Sequence, residues 1–409
     1  MNVLTTTPKI EAPRTNGAGE GAARPHYNVA IGYLRAFARF LVFAFHSVIA
    51  YYKGVFPMTK AVLRMSVPVT DTARFAGARI LIAFNEISMM SLLFFLSGLF
   101  LWPSLSRKGA GHFARERLVR LGAPFLVSGG LVAAIAYYPA YLQSGPAHPS
   151  VADYVQTWLT PGRWITGPAW FLLILLIFDA LAIALFLAAP KMGEWLGKLV
   201  AGSAAKPVRF CLTLMLISAI AYMPLALIFG AYSWWHIGPF WLQKSRALHY
   251  AVYFFTGVAV GAYGLDRSLA SPAGNLGRRW AWWSLAAIAA FLISANVIRQ
   301  VVEKNKEANL LWASAADLGW VICCAICCLA LIAIFVRFAR RNVVLDSFAN
   351  NSYGMYLVHY AFVTWTQFAL IEVRMAAALK ALCVLFVTIV GSWTLAATLR
   401  RIPAVRRNI

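Results

Sequence analysis

Long apolar segments restrict the fold of this chain more than any other feature of its sequence. About ten such segments can be recognised, each long enough to cross a bilayer as a helix. They cover approximately residues 33–52, 80–102, 121–140, 167–189, 208–229, 247–264, 280–298, 312–336, 352–371 and 376–399. The sequence therefore predicts an all-α polytopic membrane bundle of about ten transmembrane helices. It contains no internal repeat of the kind on which many transporters are built.

The composition supports the membrane prediction. Hydrophobic residues make up 61% of the chain and charged residues only 12%, about half the share in typical soluble proteins. The net charge of +23 could indicate nucleic acid, but too little polar surface remains for a fold that binds it. If the N-terminal segment and every second loop face the cytoplasm, that side holds most of the 37 Lys and Arg residues. Because basic residues collect in cytoplasmic loops, we predict that both termini are cytoplasmic.

The sequence divides into one large domain with a short segment at each end. Residues 1–28 are rich in Gly, Pro, Ala and Thr, and we expect a disordered cytoplasmic tail there. Residues 29–400 form the predicted transmembrane domain, and residues 401–409 form a basic cytoplasmic tail. The run CCAICC at residues 323–328 has spacing that could suit a metal, but no His or carboxylate flanks it. We interpret these cysteines as small helix-packing residues and expect no metal site.

The first apolar segment contains ionisable residues that a simple membrane anchor would not carry. Arg35, Arg39 and His46 all lie within it, and such a group inside a membrane helix costs roughly 2.5–3.5 kcal/mol. His46 and Glu86 lie on consecutive segments, each about six residues or roughly 9 Å from the outer end. A histidine beside a carboxylate can act as a general base, and a structural ion pair is the alternative. We predict that His46 and Glu86 form a catalytic pair.

Arginines are concentrated near the cytoplasmic ends of the first segments. Arg35 precedes His46 by a rise of about 16 Å, which places it near the inner face. The following inner loop contributes Arg115, Arg117 and Arg120, of which the last two share a helix face. Clustered guanidinium groups suit phosphate ligands. Contact with lipid headgroups and the ordinary positive charge of cytoplasmic loops are the alternatives.

Further polar residues lie inside apolar segments. Ser97 precedes Gly98 near the inner end of the second segment, where small residues permit close helix packing. In the ninth segment Tyr356 and His359 are three residues apart and share one face. We expect these side chains to belong to the polar core of the domain. The sequence assigns no partners to three other ionisable residues, Asp179, Asp317 and His249.

Two outer segments are rich in aromatic residues. Residues 141–166 and 231–246 contain many Trp, Tyr, Pro and Gly residues, including the run YSWWHIGPFWLQ in the second segment. Such residues form the aromatic belt at a membrane interface. They also form flat surfaces on which sugar rings stack. The sequence leaves both interpretations open.

Together these motifs resemble the integral-membrane acyltransferase 3 family. The resemblance rests on Arg35 and His46 separated by ten residues, on FFLSGLF followed by a basic loop ending RERLVRLGAPF, on GPAWFLLILL opening the fourth segment, and on NSYGMYLVH. It covers about residues 29–400. The LRAF start and the short outer loops are most similar to the glucan-modifying type called glucans biosynthesis protein C.

The resemblance implies an activity and a location. An acyl group, acetyl or succinyl, passes from cytoplasmic acyl-coenzyme A to a hydroxyl of a glycan or lipid-linked acceptor outside. The expected location is the inner membrane of a bacterium. Acyl-coenzyme A is then a co-substrate, membrane lipids surround the enzyme, and neither a bound cofactor nor a nucleic-acid partner is expected.

The resemblance also implies roles for individual residues. His46 is the expected catalytic base and Arg35 part of the donor site, to which the arginine cluster adds Arg39, Arg115, Arg117 and Arg120. No obvious nucleophile lies beside His46 except Ser47, which points about 100° away, so direct transfer is favoured over an acyl-enzyme. A transporter or flippase of glycans or lipids is the competing function, and the missing repeats argue against it.

Overall fold

A computed structural model describes residues 28–52, 67–145, 149–160, 164–303 and 309–406. Within these residues the chain is almost entirely helical, and a two-stranded hairpin is the only sheet. The all-α prediction is therefore confirmed. Of the predicted tails, residues 1–27 and 407–409 lie outside the described residues, which begin at Asn28 and end at Arg406. The described part of the C-terminal tail contains a short helix, Pro403–Arg406.

Long helices alternate with short connecting ones. In chain order they are α1 Val29–Ile49, α2 Ala78–Gly98, α3 Leu101–Lys108, α4 Ala110–Arg117, α5 Ala123–Leu126, α6 Ala133–Gln143, α7 Val151–Leu159, α8 Trp170–Ala188, α9 Met192–Leu199, α10 Pro207–Phe229, α11 Ala247–Tyr263, α12 Asn275–Arg278, α13 Trp280–Glu303, α14 Leu310–Phe338, α15 Val343–Ala369, α16 Ala377–Leu399 and α17 Pro403–Arg406. The hairpin pairs β1 Trp234–Ile237 antiparallel with β2 Phe240–Gln243.

All the apolar segments predicted from the sequence are helical. Eight helical stretches among the described residues are long and apolar enough, by length and composition, to cross a membrane. The two predicted spans outside this set are α11, which has only 17 residues, and α15, which carries a row of polar residues. Both pack against spans of the bundle, α11 against α2 and α15 against α1 and α16. The chain is a multi-pass membrane protein.

Helix α1 occupies a central position. It contacts α2, α14, α15 and α16, so neighbouring helices surround it on several sides. The side chain of Asn28 accepts a hydrogen bond from the Ile31 amide at 3.2 Å and caps its first turn. We call the end at which α1 begins the inner side, because the charge distribution predicts that this side is cytoplasmic. The surrounding helices can supply partners for the polar residues of α1.

The third span is irregular. Helices α4, α5 and α6 form one nearly continuous helix, separated by π-helical turns at Leu118–Gly122 and Val127–Val132. Such turns interrupt the regular backbone pairing and often occur at functional sites. In the second of them, Ser128 donates a hydrogen bond to the Leu357 carbonyl of α15 at 2.8 Å. The irregularity thus joins the third span to α15.

Small residues bring α2 and α11 close together, as the sequence predicts at Gly98. A side chain at Gly98 would collide with the backbone carbonyl of Phe254, and side chains at Gly257 or Gly261 would collide with carbonyls of the second-span region. Glycine therefore permits a backbone-to-backbone approach that any larger residue would prevent. The prediction of close packing at Gly98 is confirmed.

Candidate active site

Two rows of polar side chains meet where α1 packs against α15. Arg39 donates a hydrogen bond to the Ser352 hydroxyl at 2.7 Å, and Nδ1 of His46 lies 3.3 Å from Nε2 of His359. Each contact joins two residues that are 313 positions apart in the sequence. Helices α1 and α15 therefore run parallel, and their residues remain paired over two helical turns. We call these two rows together the α1–α15 seam. Its members are Arg39, His46, Ser352, His359 and Gln367.

Hydrogen bonds to backbone carbonyls determine which ring nitrogens of the seam carry protons. Nδ1 of His46 lies 2.9 Å from the Val42 oxygen, and Nδ1 of His359 lies 2.7 Å from the Tyr356 oxygen. A carbonyl oxygen only accepts, so each neutral ring carries its proton on Nδ1. Nε2 of His359 then accepts from Nδ1 of His46. Nε2 of His46 is left unprotonated and, within the described chain, without a hydrogen-bond partner.

The surroundings of His46 hold its ring in place without enclosing it. His46 is half-buried, whereas His359 is fully buried. The ring of Tyr360 packs edge-on against the imidazole, with 4.9 Å between the ring centroids. The side-chain amide of Gln367 donates to the backbone carbonyl of His46 at 2.8 Å, in the last turn of α1. An oriented, accessible imidazole with a free nitrogen meets the geometric requirement for a general base.

Glu86 does not lie beside His46. The guanidinium group of Arg246 donates to the Glu86 carboxylate at 2.9 Å and to the Glu86 carbonyl at 3.1 Å. Arg246 is buried at the start of α11 and lies over the ring of Trp320, 4.9 Å from its centroid. Helices α1 and α2 do pack together, but Glu86 is on the side of α2 that faces α11. The predicted His46–Glu86 pair is therefore wrong, and His359 is the neighbour of His46.

Two of the predicted arginines, Arg39 and Arg120, contact Tyr353 at the inner end of the seam. The guanidinium group of Arg39 lies over the Tyr353 ring, 5.6 Å from its centroid. The Tyr353 hydroxyl donates to the Arg120 backbone carbonyl at 2.6 Å. Arg39 has no acidic partner within the described residues. It is a positive charge inside the bundle that an anionic ligand could neutralise.

The arginines of the inner loop differ in their partners. Nε of Arg117 lies 3.4 Å from the carboxylate of Asp179, a buried residue whose partner the sequence does not assign. Nη1 of Arg120 lies 3.3 Å from the carboxylate of Glu116, and Arg120 is exposed. Arg115 is also exposed. Arg120 and Arg115 therefore remain accessible from the inner side, whereas Arg117 is compensated inside the bundle.

Arg35 and Ser97 lie beside the seam. Arg35 donates to the Leu96 carbonyl at 3.0 Å and lies over the Phe100 ring, 4.9 Å from its centroid. Ser97 donates to a carbonyl of its own helix at 2.8 Å. The structure thus places Arg39 in the seam and Arg35 against the inner end of α2.

The start of the fourth span supports α15. Tyr356 donates to the Pro168 carbonyl at 2.5 Å, and its ring stacks on the ring of His359. Gly167 has a φ of +51°, and a side chain there would lie 3.3 Å from the ring of Tyr360. Glycine is therefore needed for the backbone to turn beneath Tyr360. The GPAW and NSYGMYLVHY motifs, far apart in sequence, meet at this point.

A third histidine, His249, lies in a separate polar cluster between α2, α10, α11 and α14. Nε2 of His249 lies 3.0 Å from the Ser91 hydroxyl, and Nδ1 lies 2.6 Å from the Ser218 hydroxyl. The residue is fully buried. Both ring nitrogens are engaged, in contrast to those of His46. We call His249, Ser91 and Ser218 the His249 cluster.

The remaining polar residues of this region also have structural partners. Asp317 accepts a hydrogen bond from Tyr222 at 3.3 Å, and the Tyr222 ring stacks on Trp320. The four cysteines of the CCAICC run are buried in the apolar core around α14. Among them Cys324 lies 3.6 Å from Nε2 of His249. The cysteines thus lie within the packed helix bundle, with Cys324 beside His249.

A chain of aromatic rings leads from the outer side to His46. Ring centroids lie 5.8 Å apart between Trp158 and Tyr137, 5.8 Å between Tyr137 and Tyr360, and 4.9 Å between Tyr360 and His46. Trp241 of the hairpin packs against the same cluster. Both aromatic outer segments therefore contribute to this chain of rings.

Sequence reasoning overlooked Tyr353 and the position of His359 beside His46. One usable signal was present. Arg39 and His46 are separated by the same interval as Ser352 and His359. Matching intervals of polar residues on two apolar helices indicate two rows that can pair in a parallel packing.

One family comparison covers nearly the whole chain. A family model described as an acyltransferase domain, Acyl_transf_3, matches residues 28–397. The matched range includes α1, α15 and every helix between them, and so both sides of the seam. No curated protein and no solved structure matches the chain.

Proposed function

The chain belongs to the Acyl_transf_3 acyltransferase family, and from that membership we propose that it is a membrane-bound O-acyltransferase of surface glycans. It moves an acetyl or succinyl group from acyl-coenzyme A on the inner side to a hydroxyl of a glycan or glycolipid, such as a glucan, on the outer side. The membrane is the inner membrane of a bacterium. The observation that carries this proposal is the free Nε2 of His46, placed between a cationic inner end and an aromatic outer end.

In the proposed reaction His46 is the general base. Its Nε2 removes the proton of the acceptor hydroxyl as that oxygen attacks the thioester carbonyl. The carbon–sulfur bond then breaks, and the coenzyme A sulfur takes the proton back from His46. The new ester bond joins the acyl group directly to the acceptor, with no covalent intermediate on the protein.

His359 acts on this step through His46. When His46 is protonated, its Nδ1–H still has two acceptors, the Val42 carbonyl and Nε2 of His359. These acceptors stabilise the imidazolium and keep Nε2 directed away from the α15 side. His359 is therefore a positioning residue, the role that the sequence assigns to Glu86.

The donor is proposed to enter from the inner side. Coenzyme A carries several phosphate charges, and bidentate guanidinium groups suit them. Arg39 precedes His46 by about 10 Å along α1, and it has no acidic partner in the described chain. The pantetheine arm passes Arg39 while the phosphates stay at the inner rim, near Arg35 and the exposed Arg115 and Arg120. Arg117, which the sequence also assigns to this site, keeps Asp179 as its partner.

The acceptor is proposed to approach from the outer side. The rings of Trp158, Tyr137 and Tyr360 form a line of contacts that ends at His46. Flat aromatic faces pack against the apolar faces of sugar rings, so this line can guide a glycan hydroxyl to the base. This arrangement favours the sugar-stacking interpretation of the outer segments over a simple interfacial belt.

Two measurements test the proposal. Purified protein in liposomes is given acetyl- or succinyl-coenzyme A, and free coenzyme A is measured with and without surface glycans. Mass spectrometry then compares the surface glycans and glycolipids of cells that contain or lack the gene. We expect gene-dependent acyl esters and glycan-dependent release of coenzyme A. Unchanged esters with no release of coenzyme A would contradict the proposal.

A further inference from the structure

A cationic cavity lies on the inner side, away from the seam. It has a volume of about 520 Å³ and lies where α10 and α13 begin. Its lining includes Lys206, Arg209 and Arg279, all exposed, together with the ring of Trp282. None of the three cations has an acidic partner within the described chain. Three basic side chains without acidic partners among the described residues therefore border one space whose lining is otherwise largely apolar.

Backbone groups add to the positive character of this cavity. Helix α10 is 23 residues long, and no side chain in the described part of the chain caps its N-terminus. Pro207 occupies its first turn, and among the described residues the amides of Val208 and Arg209 have no hydrogen-bond partner. Free amides at the start of a long helix attract anions. The cavity thus combines side-chain cations with the positive end of a helix.

Apolar surface continues from this cavity toward the membrane. Helices α10 and α13 both pack on α14, and each turns much of its surface outward. Leu212 on α10 is 61% exposed, and Trp282 and Leu285 on α13 are 54% and 68% exposed. A ligand that pairs with the basic side chains and also covers this apolar surface needs a phosphate group next to long hydrocarbon chains. Anionic phospholipids of the cytoplasmic leaflet have this chemistry.

We propose that the cavity between the starts of α10 and α13 binds the headgroup of an anionic phospholipid from the inner leaflet. The phosphate lies among Lys206, Arg209 and Arg279, and the acyl chains follow the exposed apolar sides of the two helices. This site is separate from the seam and does not depend on the proposed reaction. Soluble phosphate compounds share the headgroup chemistry, so the test includes them.

Native mass spectrometry of the full chain in detergent measures binding of phosphatidylglycerol, with phosphatidylcholine as the zwitterionic reference. The test variant is Lys206→Ala/Arg209→Ala/Arg279→Ala. Each basic residue near an anionic headgroup contributes about fivefold, so this variant should bind phosphatidylglycerol on the order of 100-fold more weakly. The matched control, Arg340→Ala/Arg341→Ala/Arg401→Ala, removes three exposed cations that do not line the cavity.

A second variant keeps every charge and fills the space instead. Ala205 lines the cavity and is exposed, so Ala205→Trp should block the lipid while leaving the fold intact. Loss of phosphatidylglycerol binding in both test variants, with the control unchanged, supports the site. Equal losses in the control and the test variant would overturn it. Displacement of the lipid by inorganic phosphate or coenzyme A at equal concentration would also overturn it, in favour of a soluble ligand.

Discussion

The two histidine sites of this bundle differ in how many ring nitrogens are engaged. In the His249 cluster, both nitrogens lie within hydrogen-bond distance of serine hydroxyls, and the ring is fully buried. In the α1–α15 seam, His46 engages only Nδ1 and remains partly accessible. A ring with two partners cannot take a proton from a substrate unless those partners rearrange, whereas a free Nε2 can. Burial of a histidine among apolar helices therefore does not by itself indicate catalysis.

The largest effect is expected at His46. Replacement by alanine removes the base, and general-base catalysis typically contributes about 10²- to 10⁴-fold to the rate. We expect His46→Ala to lower coenzyme A release and acceptor acylation by that factor. The His46 ring also packs against His359 and Tyr360, so the thermal unfolding midpoint in detergent is measured in parallel and the rates are compared per folded molecule.

The control for this variant is Ser47→Ala. The Ser47 hydroxyl is buried and donates to the Phe43 carbonyl of its own helix at 2.8 Å. It is also the nearest hydroxyl to His46 in sequence, so it tests the acyl-enzyme alternative. Full activity in Ser47→Ala agrees with direct transfer. Full activity in His46→Ala would remove the catalytic assignment of the seam.

At His249 we expect a loss of stability without a loss of activity, the reverse of the expectation at His46. His249→Leu keeps most of the volume but leaves two buried serine hydroxyls without their histidine partner. We expect a loss of about 1–2 kcal/mol in unfolding free energy and a lower unfolding midpoint. The turnover of the folded fraction should stay unchanged. A stable His249→Leu protein without activity would break the distinction between the two histidines.

The helices of this fold can be predicted from the sequence, because a segment in the bilayer must satisfy its backbone groups internally. The two π-helical turns, which contain Arg120 and Ser128, cannot be predicted in this way. They depend on contacts with α15, which lies more than two hundred residues away. Hydrophobic periodicity reports which residues face apolar surroundings, but it does not report which helix supplies them.

The same limit explains the error at Glu86. Counting residues gives the depth of a side chain in the membrane, because the helical rise is fixed. It does not give the rotation of the helix about its axis, which depends on packing. Glu86 faces α11, where Arg246 neutralises it, although α1 is also a neighbour of α2. Arg39 and His46 were identified because a charged or polar group within an apolar segment is visible without knowledge of rotation.

An intermediate effect is expected at His359, which touches His46 and not the reacting atoms. His359→Leu removes one of the two acceptors of the His46 Nδ1 proton and leaves the Val42 carbonyl, and a misplaced base typically loses about 10- to 100-fold in kcat. The KM for acyl-coenzyme A should not change, because His359 lies above the cationic inner end. His359→Gln, which can again accept at that position, should recover part of the loss. A change in KM with unchanged kcat would assign His359 to substrate binding.

The smallest effect is expected at the rim of the seam, at Arg120. Its guanidinium group is exposed and 3.3 Å from the Glu116 carboxylate, and such solvated charges contribute about 0.2–1 kcal/mol. Arg120→Ala should therefore raise the KM for acyl-coenzyme A by about two- to fivefold with kcat unchanged. Arg117 is a poorer test, because its removal would leave Asp179 buried without its cation. Arg107→Ala is the comparison, because Arg107 is an exposed cation of the same inner loop outside the proposed donor site. An equal rise in KM for both variants would indicate general attraction by the loop rather than contact with the donor.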